Sequence, residues 1–252
     1  MTRRPEAGQT KRQTIREQRQ RRQRQRRLYT ILAIAGAALV IAALLIIPQI
    51  LENNRPVGDI IEITPRSYPQ ADGTALGDQN APVLVEVWED FQCPACKTFS
   101  EQVETQVIDN YVANGSVRYV YRHYPFLDDR SAGSESDQAA NASMCAAEQG
   151  QFWEYHEMLF ANWNGENQGA FADNRLLAFA ESLGLDMGQF QSCFDENRFE
   201  DQIQEDFIAG QQAGVQGTPS VFVNGQQVAP GFVPSYQQMS EAIEAALAAG
   251  SQ

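Results

Sequence analysis

Two cysteines three residues apart, in Cys93-Pro94-Ala95-Cys96, follow a β-branched run and open an apolar-periodic one. The reactive form of cysteine is the thiolate. A helix N-terminus offers it unpaired N–H groups and about half a positive charge. Pro94 suits the first helical position, where its missing donor costs nothing. The i, i+3 spacing sets both sulfurs on one face, within reach of forming and breaking a disulfide. In that arrangement Cys93 is the exposed nucleophile and Cys96 the buried partner that resolves a mixed disulfide. Lowering the thiol pKa by roughly 3 would favour the thiolate by about 4 kcal/mol. Such a pair is also half of a zinc site. Cys145 and Cys193 form no second C-x-x-C, however, and a proline between ligands at a helix start suits redox chemistry better. An inert structural disulfide is the remaining reading, weakened because so small a loop adds little stability.

These cysteines need a strand behind them and a helix in front. Pro82 to Trp88 (PVLVEVW) is apolar on both faces apart from Glu86, as in a central strand covered on both sides. From Cys93 to about Asn114, apolar residues recur at Phe99, Val103, Val107 and Tyr111, a helical spacing closed by Gly115. Val117 to Tyr124 is the next strand. A strand–helix–strand unit implies parallel strands with a right-handed crossover. Residues 136–213 show only helical periodicity, broken by glycines. Ser220–Val223 and Gln226–Ala229 flank Asn224-Gly225, a hairpin signal, and a last helix covers Ser235–Ala249. The order is a small α/β domain interrupted by an all-helical insertion.

Charge divides the chain. Residues 1–27 hold eleven of the nineteen Lys and Arg against Glu6 and Glu17; from Leu28 onward eight basic residues face thirty acidic ones. An acidic surface repels phosphate, which excludes nucleic acid as partner of the folded part. Between the two lies Leu28–Ile47, twenty residues without a charge, closed by Pro48. At 1.5 Å per residue that is roughly the thickness of a bilayer core. The basic flank puts the N-terminus in the cytoplasm and the acidic domain outside, with residues 28–47 as an uncleaved transmembrane anchor. Prolines 48, 56, 65 and 69 make residues 48–78 an extended tether, with Ile60-Ile61-Glu62-Ile63 a candidate edge strand. Trp153, Tyr155 and Phe160 read as core of the insertion. His123 and His156, far apart in sequence, read as packed or surface histidines and leave little material for a metal site.

The pieces VLVEVWEDFQCPAC, YRHYPF, MCAAEQGQFWEYHEMLF and GVQGTPSVFVNGQQV, in this order over about residues 80 to 230, resemble the DsbA-like branch of the thioredoxin superfamily. The resemblance implies a thioredoxin fold (residues 79–130 and 214–252) with an inserted helical domain (131–213). It implies that Thr218-Pro219 is a cis-proline motif beside the cysteines, offering backbone groups to a substrate chain. Relatives often carry an acid six residues before the first cysteine; that position is Val87 here, with Glu86 and Glu89 flanking it. The Pro94-Ala95 dipeptide lacks the histidine of strongly oxidising members, which points to a milder redox poise. The expected protein is a membrane-tethered, extracytoplasmic thiol–disulfide oxidoreductase that gives disulfides to exported proteins. No cofactor is expected, and the resemblance implies reoxidation by a quinone-linked membrane partner of the DsbB or vitamin-K-epoxide-reductase type. A reductase or isomerase kept reduced by a membrane donor is the alternative within enzymes; a peptide-binding assembly factor is the alternative outside them. In an oxidising compartment two free thiols in the insertion would be open to attack, so Cys145 and Cys193 are expected to pair in a structural disulfide.

Overall fold

The computed structural model describes residues 7–53, 56–64, 66–128 and 133–250, which fall into two units, 1–55 and 56–252. The first unit is helix α1 (Ala7–Asn53). Its stretch Arg21–Ile47 is long and apolar enough to cross a membrane. The helix does not stop at Pro48 as the sequence suggests but runs on to Asn53. A proline forfeits one N–H and crowds the carbonyl four residues back, which weakens a helix locally without forbidding its continuation. Of the sequence-based divisions, residues 1–6, 54, 55, 65, 129–132, 251 and 252 lie outside the described residues.

In the second unit the hydrogen-bonded order of strands is β1-β3-β2-β4-β5. These are β1 (Ala75–Leu76), β2 (Val83–Glu89), β3 (Val117–His123), β4 (Ser220–Val223) and β5 (Gln226–Val228). Strands β2 and β3 run parallel, with Val83 opposite Val117 and Glu89 opposite His123; the other pairs are antiparallel. The crossover is a helical run from α2 (Pro94–Phe99) through a π-turn at Ser100–Glu104, α3 (Thr105–Val107) and a second π-turn at Ile108–Val112. The hairpin turn places Asn224 at φ 47° and Gly225 at φ 77°, the left-handed pair that such a tight turn needs.

Strand β2 is central, but its two faces differ. Val83, Val85 and Val87 are fully buried, each worth about 1.5–3 kcal/mol. On the other face Leu84 is 36% exposed, and only Trp88 near the strand's end is covered. The cover is α8 (Glu200–Ala213), the last helix of the insertion, whose Gly210 has no side chain to keep it off the Trp88 ring. The insertion also holds α4 (Glu135–Ala147), α5 (Phe152–Ala161), α6 (Asp173–Ser182) and α7 (Met187–Asp195). Helix α9 (Tyr236–Gly250) closes the chain and buries Met239 and Ile243.

Ile60–Ile63 forms no edge strand. Its backbone is taken up by the insertion: Ile61 N–H donates to Asn162 Oδ1 at 2.8 Å, and Asn162 Nδ2 returns a bond to Ile61 O at 2.9 Å. The edge position falls instead to Ala75–Leu76.

Candidate active site

The turn from β2 into α2 is shaped by two side chains just before the cysteines. Buried Asp90 accepts from the Gln92 N–H at 2.8 Å, the Ser136 hydroxyl at 2.7 Å and the Leu127 N–H at 3.1 Å. Its carbonyl accepts from Cys93 N–H at 3.0 Å. Gln92 Nε2 donates to Asp128 and Ser136, and its backbone oxygen accepts from Trp163 Nε1 at 2.7 Å. The turn is thereby tied to the insertion at three residues, Ser136, Trp163 and Asn167, whose N–H donates to Gln92 Oε1 at 2.6 Å. Burial raises the Asp90 carboxyl to about 7, against the pull of its donors.

Cys93 caps α2 with extended backbone (φ −73°, ψ 120°), and Pro94 follows at the first turn. Both thiols are free. Cys96 is fully buried; Cys93 is only 6% exposed, less open than the sequence reading supposes, because the Thr218 loop covers it. The Cys93 thiol donates to the Thr218 carbonyl at 3.3 Å, and the Thr218–Pro219 peptide is cis. The Cys93 pKa falls to about 6. A hydrogen bond from the Cys96 thiol is the main cause; burial opposes it, and the Thr218 side chain and the Cys96 and Ala95 N–H groups add to it. The Thr218 hydroxyl, buried with no other partner, is thus available to the thiolate. Burial drives Cys96 the other way, well above the ordinary thiol value, helped by Cys93 and Glu89.

Beside Cys93 opens a cleft of about 620 Å³ lined by Ala95, Gly217, Thr218, Pro219, Gln227 and Phe232. Phe232 stands 79% exposed at its rim.

The two acids that flank Val87 part company. Glu86 faces away and pairs with Arg122 at 3.0 Å. Glu89 lies on the buried face with Val85 and Val87. There it meets Glu104 of the first π-turn and His156 of α5. Burial and the Glu104 charge push the Glu89 carboxyl well above its usual range, and burial lowers His156. Burial also holds His123 down to about 3, and His123 is fully packed. Glu104 and His156 come from elements 15 and 67 residues away from Glu89, so no spacing in the sequence joins them.

Away from this centre, Cys145 of α4 and Cys193 of α7 are bonded, with S–S 1.98 Å and Cα atoms 5.8 Å apart. Both are completely buried.

A mixed sheet, a dithiol where its central strand meets the next helix, and an X-Pro loop against the first sulfur define a thioredoxin-class protein with a helical insertion. The chain belongs to the thioredoxin family, whose model matches residues 70–245. It is 38% identical over 151 residues to Na(+)/H(+) antiporter NhaA 3 of Salinispora tropica, 60% of this chain and 21% of the antiporter. The chain thus spans about a fifth of the length of the first curated relatives it matches. It is 28% identical over 162 residues to a probable disulfide bond formation protein D of Bacillus cereus, 63% of this chain and 73% of that one. Oxidised BdbD from Bacillus subtilis superposes with a TM-score of 0.62, covering 75% of this chain and 100% of that one. At 24% identity the last likeness is one of fold.

Proposed function

We propose that this chain is a membrane-tethered thiol–disulfide oxidoreductase that gives its Cys93–Cys96 disulfide to cysteine pairs of exported proteins. The observation that carries the reading is the electrostatic asymmetry of the pair: Cys93 lowered to about 6 beside a buried Cys96 held well above the usual thiol value. Moving a thiol from its ordinary value near 9 to about 6 favours the thiolate by about 4 kcal/mol. A stabilised thiolate is a good leaving group and makes the reduced pair the preferred state.

The step balances without a cofactor. A substrate thiolate attacks Cys93 Sγ of the oxidised pair, and the Cys96 sulfur leaves with the electron pair and takes up a proton. The second substrate thiolate attacks the substrate sulfur of the mixed disulfide, and the Cys93 thiolate leaves. The substrate has lost two electrons, and the pair has gained them. Thr218 and Pro219 line the cleft beside Cys93, where a substrate backbone lies along the loop. Return to the disulfide needs an acceptor; a quinone-linked membrane oxidase of the DsbB or vitamin-K-epoxide-reductase type suits a donor anchored at the same membrane. The name disulfide bond formation protein D, borne by relatives that align over most of their length, supports this direction of flow. The antiporter names lend nothing to it, because the shared stretch is a fifth of those proteins.

The placement rests on α1. Its Arg21–Ile47 stretch suits a bilayer span, and the basic residues before it favour a cytoplasmic N-terminus, which leaves residues 56–252 outside. The test uses the oxidised full chain in detergent with a reduced, unfolded disulfide protein. Wild type regains substrate activity, Cys93→Ser abolishes the reaction, and Cys96→Ser accumulates mixed disulfide because no thiol remains to resolve it. Full oxidase activity in Cys93→Ser contradicts the assignment.

A further inference from the structure

We propose that Glu89, Glu104 and His156 form a binding site for one divalent transition-metal ion of the zinc type, buried behind the cysteine pair and joining the sheet to the helical insertion. The three side chains come from the end of β2, the π-turn after α2, and α5. Their side chains are 0%, 2% and 3% exposed. His156 Nε2 lies 3.8 Å from Glu89 Oε2 and 3.7 Å from Glu104 Oε2, and one ligand atom from each residue lies within 4.8 Å of the other two.

The chemistry of these atoms is one-sided. Neither Glu89 oxygen has a hydrogen-bond partner, and His156 Nε2 has none either. Glu104 accepts from the Tyr119 hydroxyl at 2.9 Å and the Ser100 hydroxyl at 2.8 Å, both from outside the group. Three acceptors therefore converge on one point, and among the described residues none sends a donor to the two that stand bare. A buried carboxylate with neither oxygen satisfied costs several kcal/mol. A cation at the centre satisfies all three atoms at once. Atoms with these separations share an equidistant point about 2.0–2.4 Å from each, so side-chain shifts of a few tenths of an ångström at most bring all three to zinc's bonds of about 2.0–2.2 Å to imidazole nitrogen and carboxylate oxygen.

Charge and surroundings narrow the ion. Arg66 also faces the group; its Nε has no hydrogen-bond partner and lies 3.8 Å from Glu157 Oε2, so the charges of Arg66 and Glu157 offset one another. The two remaining carboxylates cancel a dication, and His156 binds as the neutral imidazole that its burial favours. Phe91, Tyr121, Trp153 and Phe160 pack around His156 with ring centroids 4.9–5.7 Å away. Three side-chain ligands fall short of the six to eight oxygens calcium takes, and an imidazole nitrogen disfavours magnesium, which keeps oxygen ligands and water; the second Glu89 oxygen is free to complete the four-coordinate set of zinc. A nitrogen and two carboxylates suit zinc, manganese or iron(II). The π-turn supports the same conclusion from the backbone: such turns recur at functional sites, and here one carries Glu104 to the group.

The probe is Zn²⁺. The full chain without a polyhistidine tag is purified in detergent without chelator, and also refolded in excess zinc and desalted. Elemental analysis should find about one zinc per chain, retained in the Cys93→Ser/Cys96→Ser variant. Glu89→Gln and Glu104→Gln, isosteric and uncharged, should each hold at least tenfold less. Wild-type melting should fall on treatment with chelator, while the melting of Glu89→Gln should not respond. Less than a tenth of an equivalent in wild type by both routes overturns the proposal and leaves a protonated carboxyl as the occupant. Zinc retained by both glutamine variants, or lost with the cysteines, overturns it too, because the ion would then sit elsewhere. Should a glutamine variant fail to fold, the wild-type stoichiometry and the cysteine variant decide.

Discussion

Cys93 and Cys96 share one helical turn and have opposite electrostatic fates. The first sits at the helix start, where the Cys96 and Ala95 N–H groups favour its thiolate; the second lies one turn inward, away from water. The sign of the Cys93 effect sets a pH window. Its folded pKa, about 6, lies below the value near 9 of an ordinary thiol. The stability it lends the reduced form is therefore fully present above pH 9 and is lost as pH falls through 6. The oxidised form has no such group. The gap in unfolding free energy between reduced and oxidised protein should grow from about pH 6 to 9, by up to about 4 kcal/mol. Thiolate absorbance of the reduced chain should rise with a midpoint near 6, and a midpoint near 9 would remove this asymmetry. Residue chemistry of this kind is legible in sequence where it is local. The dithiol lies within four residues, so strand, proline and helix pattern all bear on it together. Glu104 and His156 were not legible as partners of Glu89, since only the tertiary fold brings three elements together.

At the scale of elements, the insertion is held to the sheet by close approach at Trp88. A Cβ on Gly210 would lie 2.8 Å from the Trp88 ring and 2.8 Å from Tyr124. Gly210→Val should therefore cost about 1–3 kcal/mol through overpacking, read as a lower denaturation midpoint with unchanged slope. Gly214→Ala, with nothing near its Cβ but φ 86°, tests backbone strain alone at the end of the same helix. The strand and helix order was visible in apolar periodicity and in the Asn224-Gly225 turn, because those signals are encoded within each element. Two boundaries were not. Ile60–Ile63 has strand composition, yet Asn162 claims its backbone from the insertion. Pro48 reads as a stop, yet the turns on either side keep the helix going to Asn53.

Over the whole molecule, the four cysteines form one buried disulfide and one free dithiol. Cys145–Cys193 clamps α4 to α7 inside the insertion and lies in a fully buried setting. Closing a loop of 48 residues is worth at most about 4 kcal/mol in the chain-entropy model. Cys145→Ala/Cys193→Ala should lower the melting temperature while oxidase turnover stays near wild type; a parallel fall in turnover at a temperature where the variant is folded would tie this bond to catalysis. For the Cys93–Cys96 dithiol, the proposed oxidase role requires that its disulfide pass electrons inward from substrate, which its reduction potential reports directly. The full chain is equilibrated with glutathione buffers, and the Cys93–Cys96 peptide is scored by alkylation and mass. The expected reduction potential lies above about −200 mV, on the oxidising side of glutaredoxins. A value near the −270 mV or so of thioredoxin would make the protein a reductase and contradict the oxidase role.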